Sequence, residues 1–115
     1  MRLISLKATN MELTDAISAY VESKLEAIEK LTQDFEPVAE IAIEIGKTSN
    51  HHAKGPFFYA EMTLHIPGEV LRATQEAEDL YESIDLVKDE MRRQVKDYKD
   101  ILSDKNQKIE RPDKE

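Results

Sequence analysis

The sequence predicts an α+β fold, a two-layer β-α-β-β-β-α sandwich in which a four-stranded sheet carries two helices on one face. Three observations predict it. Segments 40–45 and 58–66 alternate apolar and polar residues with a period of two. Segments 13–31 and 80–102 repeat apolar residues at spacings of three, four and seven. Each pattern leaves one apolar face, and two helices and a sheet can bury those faces against one another.

The elements follow in order. Ile4, Leu6 and Ala8 alternate with Ser5 and Lys7, which reads as a strand. Thr14 suits a helix N-cap, and Asp15 sits where the positive end of the helix favours an acid. Leu13, Ile17, Tyr20, Val21, Leu25, Ile28 and Leu31 then form an apolar stripe. It carries a helix to about Asp34, and Pro37 prevents its continuation. Ile41, Ile43 and Ile45 alternate with Glu40, Ala42 and Glu44, a strand with one wet face. Gly46–Pro56 is a polar loop.

Phe58, Ala60, Met62, Leu64 and Ile66 alternate with Tyr59, Glu61, Thr63 and His65. Pro67-Gly68 marks a turn, and Glu69–Gln75 completes an antiparallel run. Asp79 and Glu82 have capping-box spacing ahead of a second helix. Its stripe is Leu80, Ile84, Val87, Met91, Val95, Tyr98 and Leu102. The domain thus covers residues 1–102. Residues 103–115 carry eight charges in thirteen positions and almost no apolar mass, and are expected to form a frayed or disordered tail. The outer sheet face would present Glu40, Glu44, Tyr59, Glu61, Thr63 and His65 to water.

Length and composition narrow the function classes. At 115 residues the chain makes one domain. With no cysteine it has neither a disulfide framework nor thiolate metal sites, which fits a reducing cytosol. Residues 1–20 lack a signal-peptide pattern, and no apolar run approaches the ~20 residues of a membrane span. A cytoplasmic location and no membrane partner are expected. The net charge is -8, but the acid is concentrated: residues 12–45 hold nine acids and two bases. Long-range attraction to RNA is weak in such a molecule, while a local basic stripe can still touch phosphates.

Such a stripe exists. At about 100° per residue, Lys88, Arg92, Lys96 and Lys99 fall within an arc of roughly 80° on the second helix, beside its apolar seam. Arg93 lies some 40–60° beyond it, and Asp85 inside it. Cations at one-turn spacing suit a run of phosphates. The same spacing also describes a solvated face laced with ion pairs. Lys24 lies within the apolar arc of the first helix, seven residues from Ile17 and from Leu31. Its stem packs at the seam between helices, its ammonium emerges into the groove beside the stripe, or both.

Other candidates are weaker. His51 and His52 adjoin in the loop with Asn50 and Lys54, but no third metal ligand stands at a recognisable spacing. Phe57 and Tyr59 could stack on bases, yet no aromatic pair on neighbouring strands supports that, and packing is the better account. There is no glycine-rich phosphate loop, no Gly-x-Ser-x-Gly and no tuned carboxylate pair. No enzyme, cofactor or small-molecule substrate is expected.

The chain resembles the ribosome hibernation promoting factor and ribosome-associated inhibitor family in its short form. The resemblance rests on N-M-E-L-T-D-A-I at 10–17, K-L-x-A-I-E-K-L at 24–31, E-D-L-Y-E-S-I-D at 78–85 and R-R-Q-V-K at 92–96. It implies a fold like that of double-stranded RNA-binding domains. It also implies docking in the decoding region of the small ribosomal subunit, where messenger and transfer RNA would otherwise sit. Carried over by position, it implies contacts to ribosomal RNA from Lys24, Lys88, Arg92, Arg93, Lys96 and Lys99. Glu90 and Asp97 depart from the family, where relatives often carry lysine. The C-terminal domain by which long forms pair ribosomes is not expected here, and the free chain is expected to be a monomer. The alternative is a protein-interaction module using the acidic face of the first helix, Glu22, Glu26 and Glu29.

Overall fold

The computed structural model describes residues 1–36, 38–48 and 57–110, with side chains up to 104. The elements are β1 (Arg2–Thr9), α1 (Asp15–Glu29), a 3-10 turn (Gln33–Phe35), β2 (Glu40–Lys47), β3 (Phe58–Ile66), β4 (Glu69–Ala77) and α2 (Leu80–Glu110). The four strands form one sheet in the order β1-β2-β3-β4. β1 runs parallel to β2, so α1 is a crossover, while β2, β3 and β4 form an antiparallel meander. Pro67 and Gly68 make the β3–β4 turn, with Gly68 at φ +83°, a value glycine reaches without a Cβ penalty.

Alternation decides which face is buried. Ile41, Ile43 and Ile45 of β2 and Ala60, Met62, Leu64 and Ile66 of β3 point inward and are buried. From the helices, Ile17, Val21, Leu25 and Ile28 meet Leu80, Ile84, Val87, Met91 and Val95 in the same core. α2 lies over β3 and β4, with α1 alongside it. Each of the valine, leucine, isoleucine and methionine side chains among them contributes about 1.5–3 kcal/mol by leaving water. The opposite sheet face carries Glu40, Glu44, Tyr59, Glu61, Thr63 and His65, none of them buried.

The structure corrects the sequence reading in several places. In β1 the register with β2 shifts between Leu3 and Ser5. This irregularity turns Leu3, not Ile4, towards the core, and leaves Ile4 46% exposed. Thr14 does cap α1, accepting from the Ile17 N–H at 3.2 Å, but Leu13 precedes the helix and is exposed. α1 stops at Glu29 rather than near Asp34. Leu31 and Thr32 bond back only three residues, to Ile28 and Glu29, and the buried Thr32 hydroxyl donates to Glu29 O at 3.1 Å. These contacts tighten the backbone out of α-geometry. β4 continues to Ala77, and α2 to Glu110. No glycine or proline interrupts the second helix until Pro112, so its backbone outlasts the apolar stripe that ends at Leu102. Pro37 and the loop residues Asn50, His51, His52 and Lys54 lie outside the described residues.

Candidate nucleic-acid interface

The seam between α1 and α2 is polar at its rim. Tyr20 of α1 donates to Asp85 Oδ1 of α2 at 2.8 Å. Lys24 Nζ stands 3.5 Å from that same oxygen and 5.0 Å from the Tyr20 ring centroid. The Asp85 carboxylate, together with partial burial, pushes the Tyr20 phenol pKa up, so it stays a donor. At the other end of the seam Lys99 reaches the segment that follows α1, donating to the Leu31 carbonyl at 3.0 Å and pairing with Asp34 of the 3-10 turn at 3.2 Å. Lys24 and Lys99 thus bracket the groove.

Between them runs the stripe. Lys88 is mostly covered, its side chain 17% exposed, and pairs with Asp89 at 2.8 Å. Arg92 reaches Asp89 only at 4.0 Å, and its Nε is buried without a hydrogen-bond partner among the described residues. Lys96 is exposed and, among the described residues, carries no ion pair. Lys88, Arg92, Lys96 and Lys99 therefore share one face of α2, and Lys24 of α1 meets that face at Asp85.

Arg93 does not join them. Its guanidinium is held by Glu90 at 2.6 Å and Asp97 at 2.7 Å. Gln94, which also bonds Glu90, donates to the Arg72 carbonyl of β4 at 3.0 Å, so this flank faces β4 and not α1. The Arg93 pairing holds the Glu90 carboxyl below its ordinary range. Glu90 and Asp97 are thus both engaged by Arg93.

Most groove cations have an internal carboxylate partner. These are surface pairs, and such pairs are worth only about 0.2–1 kcal/mol. A phosphate can replace them at little expense.

The open sheet face is a weaker candidate. Its depression is lined by Ser5, Lys7, Ala42, Glu44, Glu61 and Thr63. Glu44 is already engaged, accepting from Thr9 and Tyr59 at 2.7 Å each. Those two bonds lower its pKa. The Tyr59 ring covers Gly46, which leaves it no face for a base on that side. Among the described residues no three His, Cys, Asp or Glu side chains are placed to hold a metal ion, and no helix is long and apolar enough to cross a membrane.

A four-stranded mixed sheet with two helices is an α+β architecture shared with domains of known structure. The N-terminal domain of Protein Y from Thermus thermophilus superposes with a TM-score of 0.68 at 30% identity, over 85% of this chain and 99% of that one. A ribosomal subunit interface protein from Coxiella burnetii has the same fold, with a TM-score of 0.65 at 18% identity over 86% of this chain and 98% of its own. The chain belongs to the family described as Sigma 54 modulation protein / S30EA ribosomal protein, whose model matches residues 4–103.

Among curated relatives, proteins named ribosome hibernation promotion factor are 36% identical in a Picosynechococcus species and 33% identical in Lactococcus lactis. The alignments cover 87% and 88% of this chain, but only 50% and 51% of those proteins. The chain spans about half the length of the curated relatives it matches.

Proposed function

We propose that this chain is a ribosome-binding hibernation factor. It binds the small subunit in the cytoplasm, occupies the decoding region, and blocks translation by excluding messenger and transfer RNA. It acts by occupancy and not as an enzyme. Family membership and the relatives' names support the ribosomal partner. The observation that carries the reading is the placement of cations: in a chain of net charge -8, Lys88, Arg92, Lys96 and Lys99 lie on one face of α2, and Lys24 of α1 pairs with Asp85 on that face. Phosphates entering the cleft exchange with Asp85, Asp89 and Asp34, and each neutralised phosphate releases counterions. Arg93 contributes least, because Glu90 and Asp97 hold it on the opposite flank.

Co-sedimentation with purified small subunits tests this. Lys88→Glu combined with Arg92→Glu should abolish it while helical content is unchanged. The rival reading, a protein-interaction module, uses Glu22, Glu26 and Glu29, all exposed on α1. If reversal of those three charges is the damaging change instead, the rival stands and the RNA groove falls.

A further inference from the structure

Tyr81 opens α2 and is among the exposed large apolar side chains, at 36%. At about 100° per residue it falls on the face of Asp85, Lys88 and Arg92, so it continues the groove past its last cation. Its ring packs against Tyr20, with centroids 4.7 Å apart and planes at 84°. In an edge-to-face pair at least one face of Tyr81 stays clear of Tyr20. Tyr20 is itself fixed by its bond to Asp85. The exposed ring is therefore braced, with little freedom to lose on binding.

Charge divides the groove into two zones. From Lys88 to Lys99 it favours phosphate. At the Tyr81 end the Asp85 carboxylate, one turn away, offsets the Lys24 ammonium, so that end carries little net charge and suits a neutral heterocycle. A flat, uncharged, polarisable group is what the second zone fits.

We propose that Tyr81 is a stacking platform for one unpaired RNA base, whose flanking phosphates lie along Lys88 and Arg92. This rests on the ribosomal RNA reading above and makes it narrower: the groove takes RNA with a base out of its helix, not a continuous duplex. Bases inside a duplex already stack on each other and offer only backbone and groove edges.

Equilibrium titration with purified small ribosomal subunits tests it. Tyr81→Phe keeps the π-face and should bind within about twofold of the unaltered chain. Tyr81→Leu keeps apolar bulk against Tyr20 but offers no stacking face, and should lose about fivefold or more. Tyr81→Trp supplies the sole tryptophan of the chain. Its emission should be quenched as subunits are added. Leucine binding as tightly as tyrosine, or tryptophan emission unchanged at saturation, overturns the platform. If the unaltered chain does not bind small subunits, the ribosomal reading itself fails, which is a separate outcome.

Discussion

The Tyr20 phenol on α1 and the Lys24 ammonium share one oxygen of Asp85 on α2, at 2.8 Å and 3.5 Å. Asp85 thereby joins the helices and holds a groove cation back from any phosphate. Asparagine at this position still accepts from Tyr20 but no longer attracts Lys24. Asp85→Asn should raise affinity for small subunits, by up to about fivefold at low salt, the equivalent of one exposed ion pair. Weaker binding by a folded Asp85→Asn protein would contradict this role.

Lys96 and Arg93 separate groove from flank. Lys96 is exposed and, among the described residues, unpaired, whereas Arg93 is held by Glu90 and Asp97. Lys96→Ala should lower the slope of log affinity against log salt by about 0.7–0.9. Arg93→Ala should leave that slope near its original value. Salt titrations of the two variants side by side decide the matter.

Gly46 is required by close packing between strands. A Cβ there would stand 2.5 Å from the Thr9 carbonyl of β1 and 3.0 Å from the Tyr59 ring. The carbonyl belongs to backbone and cannot swing aside. Gly46→Ala should destabilise the fold by about 2–3 kcal/mol, in the range of overpacked cores. Chemical denaturation measures it.

Glu44 gives the sheet a pH dependence. Bonds from Thr9 and Tyr59 hold its folded-state pKa below its unfolded value, which is about 4.3. Its contribution to stability is therefore complete above that unfolded value and is lost as pH falls through the folded one. The stability gap between the unaltered protein and Glu44→Gln should narrow between about pH 5 and pH 3. A gap that widens on acidification would refute the assignment.

The helices and the central strands were legible because burial there follows strict periodicity, as Ile41, Ile43 and Ile45 show. β1 was legible as a strand but not in its facing, since the irregularity between Leu3 and Ser5 has no composition signal. The end of α1 turns on the Thr32 hydroxyl bonding Glu29 O, a local competition that periodicity does not register. At the candidate site, angular arithmetic placed Lys88, Arg92, Lys96 and Lys99 on one arc and Arg93 off it. The partners were not legible. Lys24 with Asp85, and Lys99 with Leu31 O and Asp34, join residues far apart in the chain that meet only once the helices pack. Tyr81 had no signal of its own in the sequence, because its placement depends on packing against Tyr20.

In chain order α1 comes directly after the first strand, whereas α2 follows the last strand of the sheet. One wall of the cationic groove is thus synthesised well before the other. A nascent chain can own the whole sheet and the first wall yet have no cleft. Under the proposed reading, an unfinished polypeptide lacks the surface that would silence the machine still making it.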